Sequence, residues 1–292
     1  MRILMRLIVA LAVLALLGLW ITRPRTDGPE ALAGLTADLA RGERAFTAAG
    51  CASCHMKEGA TGADSLVLSG GQHFASPFGT FTAPNISPDE TAGLGAWSAL
   101  DLWNALHHGT SPKGAHYYPV FPYASYIKMT PQDAVDIHGY LMTLPPSDVA
   151  SLPHDVGFPF NIRASLGGWK LLFLRDEFVM EGDLNEVETR GRYLVEAMGH
   201  CAECHSPRGL LGNLKTGADW MSGADNPAGG KFPDVAGLDW SESELEEYFT
   251  SGFTPDFDVA GGHMALVVNN LAALPASDRA AIIAYIERLP LD

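Results

Sequence analysis

RGERAFTAAGCASCH (41–55) and RGRYLVEAMGHCAECH (190–205) open two copies of one plan, and this repeat constrains the fold more than any other feature of the chain. Later landmarks recur in the same order. Trp97-Ser98 matches Trp240-Ser241, and in each copy a glycine follows twelve residues after the tryptophan, at Gly109 and Gly252. Asp133, Tyr140 and Pro145 match Asp278, Tyr285 and Pro290 with identical spacing. The pattern between these landmarks is helical. Residues 36–49 and 186–199 read as amphipathic helices leading into a cysteine pair. SALDLWNALHHG (98–109) and SESELEEYFTSG (241–252) begin on serine caps and end on glycine. TPQDAVDIHGYLMTLP and PASDRAAIIAYIERLP read as closing helices with N-cap signals and proline stops. No long alternating strand pattern appears.

The four cysteines are all inside the two Cys-x-x-Cys-His motifs: Cys51, Cys54 and His55, then Cys201, Cys204 and His205. Two thiols three positions apart on a tight turn can each add to one haem vinyl group, which leaves the next residue's imidazole under the iron. Zinc is the first competing reading, but it draws four ligands from neighbouring loops, and these pairs lie 150 residues apart. A thioredoxin-like redox pair wants a βαβ context, which is absent. A chance occurrence does not explain two copies in register. The expectation is two covalently attached haem c groups, with Cys51, Cys54, Cys201 and Cys204 binding the cofactors and His55 and His205 ligating the metals.

On these motifs the chain resembles the class I c-type cytochromes, small all-helical domains around one haem. PNISPDETAGLGAWSALDLWNALHHG (84–109) and YYPVFPYASYIKMTPQDAVDIHGYLMTLPP (117–146) are similar to the cytochrome subunits of membrane-associated alcohol and gluconate dehydrogenases. Those subunits hold three haems, whereas this chain carries two motifs. The resemblance implies an all-α fold of two tandem cytochrome c-like domains, at 36–146 and 187–292, joined by a linker at 147–186 that packs on both. It also implies a methionine as second axial ligand. Met264, between the glycine-ended helix and the closing helix, is favoured in the second domain over His263 and over Met221 in the DWMSG loop. In the first domain the repeat points to Phe121, where the family commonly has Ala-Met-Pro-Tyr and where phenylalanine cannot ligate. Met129, eight residues on, is then favoured, with His116, His107 or His108, or an open iron, as alternatives. Trp97, Tyr117, Tyr118, Phe121 and Tyr123 read as a haem wall. By family analogy Asn85 would donate near a propionate. His73, His107, His108, His116 and His138 otherwise read as surface or haem-edge residues.

Ahead of the repeats, Arg2 and Arg6 flank an apolar run to Ile21, ended by Thr22, Arg23 and Pro24. Nineteen residues from Ile3 span about 28 Å as a helix, close to the ~30 Å core of a bilayer. The nearest small-x-small cleavage pattern, Ala31-Leu32-Ala33, comes about ten residues late. Residues 1–25 are therefore read as an uncleaved anchor in preference to a cleaved signal peptide. Either reading places the rest on the periplasmic side of a bacterial inner membrane. The net charge of −15 argues against nucleic acid and favours a redox partner with a basic face. The functional expectation is a carrier of single electrons with no bond chemistry of its own. The enzyme rival is a dihaem peroxidase with one open iron.

Overall fold

Capping residues set where the helices begin. The computed structural model describes residues 1–290. Helix α1 (Arg2–Ile21) buries none of its side chains and is long and apolar enough to cross a membrane, with a mean hydropathy of 2.5. Helix α2 (Leu39–Ala48) starts at Asp38, whose carboxylate accepts from the Arg41 N–H. It leads into α3 (Cys51–His55). Strands β1 (His73–Ser76) and β2 (Gly79–Thr82) form a hairpin, and α4 (Ala99–His108) runs from a Ser98–Asp101 capping box to Gly109 in the left-handed region. A short α5 (Tyr123–Tyr126) precedes α6 (Pro131–Leu141), capped by Thr130.

The joining segment carries β3 (Asp155–Val156), which pairs antiparallel with β2, and α7 (Ser165–Phe173). The second copy follows as α8 (Glu186–Arg192), α9 (Ala202–His205), the two-residue strands β4 (Ala224–Asp225) and β5 (Lys231–Phe232), α10 (Glu242–Ser251), α11 (Gly262–Ala273) and α12 (Ala276–Ile286). The strands depart from the sequence reading. Their ladders are two to four residues long, too short for alternation to register, and β3 comes from the stretch expected to be linker. One closing helix also departs from expectation: α12 starts at Pro275 with no side-chain cap.

In each copy the first helix crosses the last at a glycine. A methyl group on Gly42 would strike the Asp136 carbonyl and Tyr140, and one on Gly191 would strike the Ala281 carbonyl and Tyr285. The arginine before each glycine ties the same pair of helices. Arg41 Nε lies 2.7 Å from Asp136 Oδ2, and Arg190 Nε lies 2.8 Å from Asp278 Oδ1. The apolar cores of the two copies are continuous. One cluster runs from Phe46, Trp103 and Ile137 through Met129 to Leu194, Phe249 and Tyr285.

The second copy is one residue longer between its arginine and its first cysteine: eleven positions from Arg190 to Cys201, against ten from Arg41 to Cys51. A π-helical turn over Tyr193–Met198 absorbs the extra residue. Its wide bond runs from the Gly199 N–H to the Leu194 carbonyl at 2.7 Å, and beyond the turn the Cys201 N–H donates to the Val195 carbonyl at 3.3 Å. The residue before the first cysteine is left-handed in both copies, Gly50 at φ 63° and His200 at φ 42°. A non-glycine residue there is strained, and contacts made by the histidine ring offset the cost.

Candidate haem sites

Each Cys-x-x-Cys-His motif sits on a single helical turn between a left-handed residue and an extended one, so both thiols and the imidazole emerge together. No disulfide joins the cysteines of either pair. Burial pushes the Cys51, Cys54 and Cys201 thiols up to about 12 and Cys204 to about 11, so all four stay neutral. Thiols held side by side on one turn in apolar surroundings fit addition to the two vinyl groups of one haem.

The histidines are held alike. His55 Nδ1 lies 2.9 Å from the Pro84 carbonyl, and His205 Nδ1 lies 2.9 Å from the Pro233 carbonyl. The carbonyl accepts the Nδ1 proton, which fixes the tautomer and leaves Nε2 with a lone pair to give to a metal. Burial lowers the pKa of both rings and keeps them neutral. The main chain repeats the arrangement. The Gly70 N–H donates to the His55 carbonyl at 2.6 Å and the Gly223 N–H to the His205 carbonyl at 2.7 Å. Sequence reasoning missed the two prolines, although Pro84-Asn85-Ile86 and Pro233-Asp234-Val235 follow their histidines at nearly equal distance and carry the signal.

The methionines differ between the copies. Met264 lies half-buried in the first turn of α11. Met129 is 3 % exposed and lies between α5 and α6, immediately before the Thr130 cap. The expectation for Met221 as a residue of a surface loop is corrected. It is 2 % exposed, its N–H donates to Ser206 Oγ at 2.8 Å, and its carbonyl accepts from Val235 and Ala236.

Several side-chain readings also change. His116 is buried rather than superficial, and its Nε2 lies 3.0 Å from the Thr22 carbonyl at the end of α1, so that nitrogen is engaged away from the motifs. His107 stacks on Trp103 and His108 turns to Asp27, which places both beside the segment after α1. His138 Nε2 lies 2.9 Å from the Trp97 carbonyl. Asn85 donates to the Ser147 and Val149 carbonyls, both at 2.8 Å, and so ties the joining segment down. Tyr118 packs with Phe81 and Leu166 in a separate apolar cluster, with its hydroxyl donating to the Phe160 carbonyl at 3.2 Å. Tyr117, Phe121 and Tyr126 instead form an edge-to-face series that ends at the His200 ring.

The two motifs lie close to each other. Asn270 Nδ2 on α11 donates to Ser53 Oγ at 2.9 Å, and His263 Nε2 lies 3.8 Å from Cys54 Sγ. His200 Nε2 lies 3.3 Å from the Ala49 carbonyl, which also accepts from Tyr126 Oη at 3.0 Å. Tyr193 donates to the Asp133 carboxylate, and its oxygen accepts from the Thr130 N–H at 3.0 Å.

Residues 39–145 match the family model for cytochrome c. A dihaem cytochrome c-type protein of Cereibacter sphaeroides is 55% identical over 276 residues, covering 94% of this chain and 93% of its own. The fructose dehydrogenase cytochrome subunit of Gluconobacter japonicus is 34% identical over 86% of this chain, and the gluconate 2-dehydrogenase cytochrome c subunit of Pantoea cypripedii is 33% identical over 85%. This chain spans only 52% and 59% of those two subunits.

Proposed function

This chain belongs to the cytochrome c family, and from that membership we propose that it carries two haem c groups and relays single electrons between a dehydrogenase-type donor and a further redox protein. The observation that carries the reading is the matched pair of histidines, each with Nδ1 on a proline carbonyl and each behind a neutral cysteine pair. Cys51 and Cys54 hold one haem, Cys201 and Cys204 the other. His55 with Met129 and His205 with Met264 would ligate the two irons. Residues 36–146 and 187–292 are the haem domains, and 147–186 joins them. The haem supplies an iron that cycles between ferric and ferrous; the chain fixes the ligand set, keeps water away and sets the spacing. Met129 and Met264 present thioether sulfurs, and Phe121 and Tyr126 add apolar cover beside the first motif.

Helix α1 anchors the protein on the periplasmic side of the inner membrane. The net charge of −15 docks it on a basic partner face. The peroxidase alternative has no support among the relatives described, which are a dihaem cytochrome c-type protein and two dehydrogenase cytochrome subunits. Haem quantitation with pyridine, near-infrared spectra and Met129→Ala test the reading. The expected result is two haems per chain and two thioether bands, falling to one in the variant. A wild-type haem that is high-spin and binds carbon monoxide would overturn it.

A further inference from the structure

Outside the haem motifs, one cluster of metal-binding side chains is built into the junction between α1 and the first repeat. Asp27, His107 and His108 each offer one ligand atom, and the three atoms lie within 4.8 Å of one another. His107 Nδ1 and His108 Nε2 are both shielded from solvent, and neither makes a well-formed hydrogen bond among the described residues. Buried polar atoms are nearly always paired, so two such nitrogens gathered beside one carboxylate need a reason. His108 Nε2 faces Asp27 Oδ1 at 3.1 Å. That separation is what two ligands of one metal at about 2.0–2.1 Å would show, since tetrahedral geometry puts such atoms roughly 3.3 Å apart.

The surroundings position the donors. Trp103 Nε1 donates to Asp27 Oδ2 at 2.7 Å, which leaves Oδ1 for another partner. The Trp103 ring stacks on His107 at 4.2 Å and fixes its plane. The Asp27 N–H donates to Asn104 Oδ1 at 2.6 Å, so the main chain is held as well. Both histidines occupy the last turn of α4, where the helix dipole favours a cation, and Lys170 Nζ takes the His108 and Gly109 carbonyls at 2.7 Å without using the rings. Two imidazoles and one carboxylate with an open position suit a first-row divalent ion such as Zn(II).

The geometry points to a divalent transition-metal site formed by Asp27 Oδ1, His107 Nδ1 and His108 Nε2 that clips the segment following α1 onto α4. The test uses the full-length holoprotein, stripped with chelator and titrated with Zn(II) by calorimetry, with bound metal counted by mass spectrometry. One equivalent should bind to wild type, and Asp27→Asn and His108→Gln should each weaken binding by about tenfold or more while both haem spectra stay unchanged. A wild-type measurement needs no variant: one equivalent of Zn(II) should raise the Tm of the stripped holoprotein. Absence of a one-equivalent phase, binding unchanged by either substitution, or an unchanged Tm would each overturn the site.

Discussion

Replacing Gly191 with alanine should lower stability although alanine is the better helix former. The methyl would arrive on the Ala281 carbonyl and the Tyr285 Cβ. Neither can turn aside by a rotamer change, because one is main chain and the other is the root of a side chain that is fully buried. Helices α8 and α12 must then separate. Overpacking of this kind costs about 1–3 kcal/mol, and the gain in helix propensity returns only about 0.5–1 kcal/mol. The net loss is about 0–2.5 kcal/mol, and the approach of the methyl to within 1.9 Å of the carbonyl oxygen puts it toward the upper end; at about 2–4 °C per kcal/mol the fall in Tm is up to roughly 10 °C. Gly168 on α7 is the matched control, since a methyl there meets nothing within 4 Å. Gly168→Ala should raise Tm by a few degrees, as about 0.4–1 kcal/mol of unfolded-state entropy is removed. Thermal melts of the two holoproteins followed at 222 nm make the comparison. If Gly191→Ala melts at or above Gly168→Ala, the close crossing is not what the glycine is for.

Glu196 supplies a pH-dependent prediction. It is 1 % exposed, accepts from the Val179 and Met180 N–H groups and from Tyr285 Oη, and burial raises its pKa despite the nearby Lys128. A carboxyl whose folded pKa is raised stabilises most below its unfolded pKa, and that contribution is lost as pH rises through the folded value. The Tm of wild type minus that of Glu196→Gln should therefore fall as pH rises from about 4; a flat difference would show that the shift is absent. Tyr285→Phe strands Trp220 Nε1, now 2.7 Å from the hydroxyl, and should cost about 1–3 kcal/mol in denaturant melts; an unchanged midpoint would refute the bond. Asn270→Ala removes the donor to Ser53 and should speed amide exchange in residues 51–55, whereas unchanged exchange would mean that α11 does not brace the first motif.

The helices and both motifs were legible because their signals are local. Ser98 and Ser241 carry their capping partners three residues on, and Gly109 and Gly252 carry the left-handed ends. What escaped depends on partners distant in the chain. Family analogy points Asn85 at a propionate, and nothing local in the sequence shows that Ser147 and Val149 present carbonyls to it. Tyr118 was placed among the wall residues because its neighbours Phe81 and Leu166 lie on either side in sequence, far from the aromatic run. The strand at 155–156 has no pattern of its own, since it exists only as an edge offered by β2. The π-turn could have been found: aligning the two openings exposes the extra residue that it absorbs.

The seating of α11 against the first motif bears on the order in which the protein is made. Ser53, in the middle of Cys-Ala-Ser-Cys-His, is 5 % exposed and is bonded by Asn270 of α11, and His263 of the same helix lies against Cys54. On the proposed thioether attachment, an enzyme that joins haem to those thiols needs the loop open. Loading of the N-terminal motif must then come before the C-terminal repeat closes over it, so maturation has a built-in direction. A chain whose second half folds early would seal an unloaded first site.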